Sequence, residues 1–258
     1  MYPAATTRIF VSMFGLFKNT APPCPLKDDR RERVEKSLGR LVDLFGMNTL
    51  LQCRVLIPHH SDFPIRYDGH PQTARDTIDI IARQMDVDPE EITLHIYQEA
   101  IQTVSTGHPM GGNLYLGREA AEPSGEPSWR KEEDGKYHIW LEEVKLRQPE
   151  GLVAVLARDL AHIKLLGEGR VRENDELLVD MTTLGLGLGV FNANAAFYSQ
   201  RIQAQGEKSN QLTQMEWGYG LALYARLRRE ERPGWVEYLC KNIKSDFLKS
   251  EQYLQWVE

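Results

Sequence analysis

The sequence predicts an α+β fold, in which a strand-containing part of residues 28–145 precedes a helical part of residues 146–258. The clear strand patterns, short β-branched or alternating segments, lie in the first part, and apolar residues recur at helical spacing throughout the second. No long flexible linker separates the two parts. We therefore expect one continuous domain over residues 28–258, preceded by a flexible lead and linker over residues 1–27.

Helices and strands alternate in the first part. The prolines of residues 19–27 predict an extended linker, and apolar residues at helical spacing then predict an amphipathic helix over residues 29–45 that ends at Gly46. A second helix is expected over residues 72–86. Strands are predicted by short apolar or alternating segments at residues 51–57, 92–97 and 137–141, with 113–116 as a shorter candidate. The remainder of residues 103–130, dense in glycine and proline, is expected to form loops.

The second part is predicted to be entirely helical. Its helices are expected over residues 149–166, 173–199, 210–229 and 233–248. Pro149 fits the first turn of the first of these helices. Three glycines inside the second, at 185, 187 and 189, each cost about 1 kcal/mol relative to alanine in a helix interior, so close packing against a neighbouring helix is expected there.

Composition excludes several classes of protein. Among the 258 residues 41% are apolar and 26% are charged, which is typical of globular proteins and unlike disordered, collagen-like or coiled-coil chains. The formal net charge of −6 gives no sign of the concentrated Lys and Arg that nucleic-acid binding requires, so no nucleic-acid partner is expected.

The cysteines and the N-terminal apolar segment bear on location. Cys24, Cys53 and Cys240 form neither a Cys-x-x-Cys pair nor a disulfide framework, which favours a reducing cytoplasm. The apolar segment of residues 9–17 is far shorter than the ~20 residues of a membrane helix, so no membrane span is expected. Met13 is a plausible alternative start.

The most informative motif is Arg158-Asp159-Leu160-Ala161-His162, followed by Asp175-Glu176-Leu-Leu-Val-Asp180. Over residues 137–199 the chain resembles zincin metallopeptidases of the gluzincin type. These carry His-Glu-x-x-His on one helix and Glu-x-x-x-Asp on the next. It also resembles uncharacterised bacterial zincin-like proteins with His-Glu-Leu-Ala-His in this place. The resemblance implies an edge-like strand at 137–141, the motif helix, a glycine turn and a second helix.

The resemblance assigns a role to each matching residue. His162 matches the second zinc-binding histidine, Glu176 the third ligand, and Asp180 the carboxylate that orients a ligand histidine. Arg158 replaces the first histidine, and Asp159 replaces the general-base glutamate. A guanidinium has no lone pair for a metal, so only His162 and Glu176 remain as metal ligands from the motif.

We therefore expect that the zincin scaffold is retained and that the peptidase chemistry is lost. No catalytic residue is expected, and no bound cofactor, including zinc. Loss of the metal would leave carboxylates without a counter-charge, and a guanidinium supplies one through charge-assisted hydrogen bonds. The sequence thus predicts an ion pair between Arg158 and Glu176 that joins the two helices.

Three functions remain open. The first is an inactive zincin-like protein that binds a peptide or protein partner, in a structural or regulatory role. The second is a metal-dependent hydrolase with rearranged ligands, in which His162 and Glu176 act with Asp159 or Asp180 and with a loop histidine such as His108. The third is an acidic immunity-type protein or complex subunit. Of the other histidines, His59 and His60 are expected in an exposed loop. His138 is expected as an exposed residue of the strand at 137–141, and a position in the relic cleft is the alternative. No ligand-like spacing relates His138 to the histidines at 70, 95 and 108.

Overall fold

The computed structural model describes residues 21–98, 101–104, 114–117, 128–202 and 211–257, so the predictions for the apolar segment at 9–17, Met13 and His108 lie outside the described residues. The helices are α1 (Asp28–Phe45), α2 (Met47–Gln52), α3 (Pro71–Gln84), α4 (Pro149–His162), α5 (Glu176–Thr183), α6 (Gly189–Ile202), α7 (Gln214–Leu227) and α8 (Lys241–Trp256). The strands are β1 (Ile92–Tyr97), β2 (Ile101–Val104), β3 (Leu114–Gly117), β4 (Trp129–Lys131) and β5 (Tyr137–Glu142). The fold is α+β with a helical C-terminal half.

The strand before the motif helix is the centre of a sheet, and the expectation of an edge strand is wrong. β5 pairs in parallel with β1 and antiparallel with β4, in the order β1-β5-β4. The backbone N–H of Trp140 extends the β4 pairing by donating to the carbonyl of Ser128 over 2.8 Å. β2 and β3 form a separate antiparallel pair. Because β4 is only three residues long, the sequence pattern did not separate it from the surrounding loops.

The strand predicted over residues 51–57 is also wrong. Gly46 ends α1 with a φ of +82°, and the chain enters α2 at once. Leu50 is buried and Leu51 is exposed, as on a short helix at the surface of the core. A short apolar segment does not distinguish a strand from a buried helical turn, and here the turn after Gly46 decides between them.

The helix predicted over residues 173–199 is broken between α5 and α6. Gly187 has a φ of +85°, and a Cβ at this position would lie 2.1 Å from the carbonyl oxygen of Arg54. The break is held by long-range hydrogen bonds, because the N–H of Leu56 donates to the Gly187 carbonyl over 2.9 Å and Gln84 Nε2 donates to the Leu186 carbonyl over 3.1 Å. Only glycine accepts this conformation together with so close a contact.

The prediction of close packing is confirmed at Gly185. A Cβ there would lie 2.3 Å from a methyl carbon of Leu41 in α1. The absence of a side chain therefore allows the end of α5 to approach α1, as the glycine content indicated.

The α5–α6 segment contributes to both apolar clusters of the protein. Leu178 and Phe191 belong to the cluster formed with the sheet, α3 and α4. Met181 and Leu184 belong to the cluster formed with α1, α7 and α8. Within the described residues, none of the helices combines the length and the apolar character that a membrane span requires.

Candidate functional site

The motif residues meet where α4 packs against α5. Arg158 and His162 lie one turn apart on α4, and Glu176 and Asp180 lie one turn apart on α5. The Arg158 guanidinium donates to Glu176 Oε2 through Nη2 and to Asp180 Oδ1 through Nη1. The predicted ion pair between Arg158 and Glu176 is confirmed, and Asp180 is a second partner.

Asp175 begins α5 as its N-cap and thereby positions Glu176 and Asp180. Its carboxylate accepts from the backbone N–H of Leu178 over 3.2 Å. An oxygen at this position satisfies one of the backbone donors that a helix start leaves unpaired. The first turn of α5 is thus fixed at the residue before Glu176.

His162 completes the cluster. Its Nδ1 donates to the backbone carbonyl of Arg158 over 2.9 Å, and its Nε2 lies 3.3 Å from Glu176 Oε1. Asn174 Nδ2 donates to the same Oε1 over 2.6 Å. The carboxylate of Glu176 is therefore surrounded by an imidazole, an amide and a guanidinium.

The two carboxylates experience different electrostatic environments. Hydrogen bonding from His162, supported by Asn174 and by the charge of Arg158, lowers the pKa of Glu176 to about 2. Burial raises the pKa of Asp180 to about 6, against the opposing effects of Arg158 and of the Leu212 N–H, which donates to Asp180 Oδ2 over 2.8 Å. Both groups are ionised at pH 7, and Arg158 supplies the nearest full positive charge to each.

The cluster does not fit a zinc ion. Arg158 binds both carboxylates, and a guanidinium offers a metal no lone pair. One imidazole nitrogen and one carboxylate remain, and both already lie in hydrogen-bond contact with each other. Catalytic zinc sites use three protein ligands.

The structure does not bring Asp159 to the cluster. Asp159 is buried, and its Oδ1 accepts from the hydroxyl of Ser128, the residue before β4. The alternative ligand set of His162, Glu176 and Asp159 is therefore not assembled, and Asp180 is bound to Arg158. Over the described ranges, no group of three or more His, Cys, Asp and Glu side chains is arranged to hold a metal ion.

A cleft of about 770 Å³ opens beside the cluster, and Glu176 forms part of its wall. One wall is α1, which contributes Arg33, Lys36 and Arg40, and the other is the segment of residues 171–177. Arg40 binds Asp175 over 2.6 Å. Sequence reasoning missed this cationic wall, although the spacing of the three cations by three and four residues places them along one side of a helix.

A second polar cluster lies on the sheet. His95 on β1 and His138 on β5 are in hydrogen-bond contact, with 2.8 Å between His95 Nε2 and His138 Nδ1. Burial, followed by the neighbouring His138, lowers the pKa of His95. The sequence spacing of these histidines did not indicate this contact, because the parallel register of β1 and β5 joins residues that are far apart in sequence.

Comparison with protein-family models, with curated proteins and with solved structures gives no match for this chain. The resemblance to zincins therefore rests on the residues and geometry of this chain alone.

Proposed function

We propose that this protein is a non-catalytic relative of zincin metallopeptidases that binds a peptide segment of a partner protein. The observation that carries the proposal is the position of Arg158, which contacts both Glu176 and Asp180 from the place of the first zinc-binding histidine. One guanidinium here takes over the role of a metal as counter-charge. Without it, two partly or fully buried carboxylates would lose their shared counter-charge, at a cost of several kcal/mol.

The local topology supports the same proposal. An antiparallel pair of strands, β4 and β5, leads through a short 3-10 helix (Glu143–Arg147) into α4, and α5 follows after a glycine turn. The contact of 3.3 Å between His162 Nε2 and Glu176 Oε1 joins the two residues that the motif assigns to one ion. A scaffold whose ligand positions still converge is consistent with loss of the metal after the fold was established.

The cleft beside Glu176 supports an acidic segment as the occupant. Among the described side chains, neither Lys36 nor Arg172 forms an ion pair, although both line the cleft, and Glu176 is already bound to Arg158. Carboxylates of a partner peptide would contact these two free cations. The protein has an overall charge of −6, so this cationic wall is a local exception. The same proposal includes a partner that is a protein and not a nucleic acid. It also includes a cytoplasmic location, which is consistent with the three free thiols.

The scaffold is tested by rebuilding the zinc motif. The double variant Arg158→His/Asp159→Glu restores His-Glu-x-x-His, and we expect it to bind about one equivalent of Zn²⁺ more than the wild-type protein in isothermal calorimetry. The matched control Arg158→Gln/Asp159→Glu removes the same cation without adding an imidazole, and it should not gain this binding. The single variant Arg158→His gives a second reading if the double variant is unstable. Folded variants that gain no zinc binding would contradict the proposed ancestry.

Binding and catalysis are tested separately. We expect the wild-type protein to cleave no peptide in the presence of Zn²⁺, and turnover that His162→Ala abolishes would overturn the proposal. On an array of 12-residue peptides, acidic sequences should bind better than their glutamine-substituted counterparts. The variant Lys36→Glu/Arg172→Glu should lose this preference. Lys241→Glu, on the exposed start of α8, is the matched charge control.

A further inference from the structure

The outer face of the three-stranded sheet carries aromatic and imidazole side chains. The register pairs His95 with Trp140 and Thr93 with His138, so these four residues share one face, while Leu94 and Ile139 point to the core. The ring centroids of His95 and Trp140 are 5.2 Å apart, and those of His95 and His138 are 5.0 Å apart. The His138 side chain is 17% exposed to solvent, so the cluster is partly accessible from outside.

A chain of hydrogen bonds fixes which nitrogen of His138 carries its proton. Asp134 Oδ2 lies 3.0 Å from His138 Nε2, and a carboxylate can only accept, so this nitrogen donates. In the neutral ring, Nδ1 is then left with a lone pair, which faces His95 Nε2 at 2.8 Å. A histidine that binds a metal commonly has this arrangement, with its other ring N–H donated to a carboxylate.

We infer that His95 and His138 form a two-histidine site for a divalent transition metal of the nickel, copper and zinc class. Neutral imidazole nitrogens are the ligands that these ions favour. Two nitrogens bound to one ion at 2.0–2.1 Å in neighbouring positions lie about 3.0–3.3 Å apart. The present contact must therefore open by a few tenths of an ångström, and each ring must turn by roughly 35–45° to direct its lone pair at the ion. The proton on His95 Nε2 moves to Nδ1 of the same ring, and the ion takes its place between the two nitrogens. Water completes the coordination.

The surrounding charges are balanced. Asp134 holds His138 from one side, and the Arg130 guanidinium lies 5.7 Å from the Trp140 ring on the same face. Glu132 and Arg75 also act on His95, with opposite charges, so the site has no surplus of negative charge that would attract Mg²⁺ or Ca²⁺, which prefer oxygen ligands. Selectivity for nitrogen-seeking ions follows from this set of side chains.

Trp140 supplies a local signal for the bound ion. Its ring is nearly parallel to that of His95, with 19° between the planes. A paramagnetic ion such as Ni²⁺ bound to His95 would lie close to the indole and quench its fluorescence. The variant Trp140→Phe should keep the calorimetric affinity and lose this part of the quenching.

The test titrates the full chain, without a polyhistidine tag, with NiCl₂ and ZnCl₂ by calorimetry and tryptophan fluorescence. We expect saturation near one equivalent for both ions and no response to MgCl₂. His95→Gln and His138→Gln should each weaken binding at least tenfold, and Asp134→Asn by about 10–100-fold. His70→Gln, at an exposed histidine, is the matched control and should bind as the wild type does.

Three results would overturn the inference. The first is no binding by the wild type, and the second is unchanged affinity in both His95→Gln and His138→Gln. The third is loss of binding in His162→Gln, which would place the ion at the cluster between α4 and α5. The inference does not depend on the proposed function. Because zinc bound at His95 and His138 would add to the signal of the restored motif, the zinc-restoration experiment is best performed in the His95→Gln background.

Discussion

Arg158 donates to Glu176 and to Asp180, so one guanidinium on α4 contacts two successive turns of α5. The two acceptors differ in their surroundings, because the Asp180 side chain is 3% exposed and that of Glu176 is 21% exposed. Removal of the shared cation would therefore affect the two carboxylates unequally, with the larger effect at Asp180.

We predict that Arg158→Met destabilises the protein by about 3–5 kcal/mol, because it leaves the buried Asp180 carboxylate without its cation. The measurement is the free energy of unfolding from urea denaturation at pH 7. Arg83→Met is the matched control, since Arg83 is exposed and its contact with Asp79 is 3.8 Å long. The control should change the free energy by about 0–1 kcal/mol. Equal effects of the two substitutions would show that the Arg158 contacts are not needed for stability.

We predict that Glu176 makes the protein lose stability in acid. Its pKa of about 2 in the folded protein lies below the ordinary 4.5, so the stability that it contributes is complete above pH 4.5 and is lost as the pH falls toward 2. In Glu176→Gln this loss is absent. The free energies of unfolding of the two proteins should therefore converge as the pH falls from 4.5 toward 2.

Asp180 acts in the opposite direction in both proteins, because its raised pKa of about 6 favours the folded state as the pH falls below 6. The charge of Glu176 is one of the smaller causes of this raised pKa, so most of the contribution of Asp180 is common to wild type and Glu176→Gln. A difference between the two free energies that grows in acid would contradict the assignment of Glu176. Glu237→Gln, at an exposed partner of Lys244, is the control.

We predict that Gly187→Ala is far more harmful than Gly135→Ala. Both glycines have a φ near +80°, at +85° and +81°, but a Cβ at Gly135 meets no atom within 4 Å. Gly135→Ala should therefore show the backbone cost alone, about 1–2 kcal/mol. At Gly187 the Arg54 carbonyl oxygen must also move, which adds about 1–3 kcal/mol of overpacking. Thermal and urea unfolding measure both variants, and equal losses would show that the chain relaxes around Gly187 without cost.

We predict that Glu216→Gln lowers the free energy of unfolding by about 1–3 kcal/mol. The NH₂ group of the new side chain would be buried against groups that are themselves hydrogen-bond donors. The Glu216 side chain is fully buried, and it accepts from Arg33 Nη2 over 2.9 Å and from the Thr213 N–H over 2.8 Å. The second contact is part of the capping box that begins α7. Urea unfolding measures the loss, and hydrogen exchange at the start of α7 locates it. An unchanged exchange rate there would contradict this explanation.

Secondary structure was predicted correctly where apolar residues recur at a regular spacing within one helix or strand. Residues 29–45 and 92–97 were assigned correctly because a helix and a strand bury one face in a regular pattern. Residues 51–57 were not, since their conformation depends on the turn at Gly46. The break at Gly187 was missed for a related reason, because its partners Arg54 and Gln84 lie over 100 residues earlier in the chain.

The candidate site shows the same division. Helical spacing relates Arg158 to His162 and Glu176 to Asp180 within their own helices. That the two pairs meet was an expectation that came from the resemblance to zincins. The contact between His95 and His138 was not foreseen, because it depends on which strands are neighbours and in which register. Strand order is a property of the whole fold, and no local pattern in this chain encodes it.

The helix break at Gly187 lies in a segment whose apolar side chains are divided between both clusters of the core. Neither cluster can be completed by the first half of the chain alone, because each needs the segment that follows residue 176. During synthesis on the ribosome, neither cluster can therefore close until α5 and α6 have been made. A fragment that ends before Glu176 would expose the apolar face of α4 against which α5 and α6 pack, and it would aggregate.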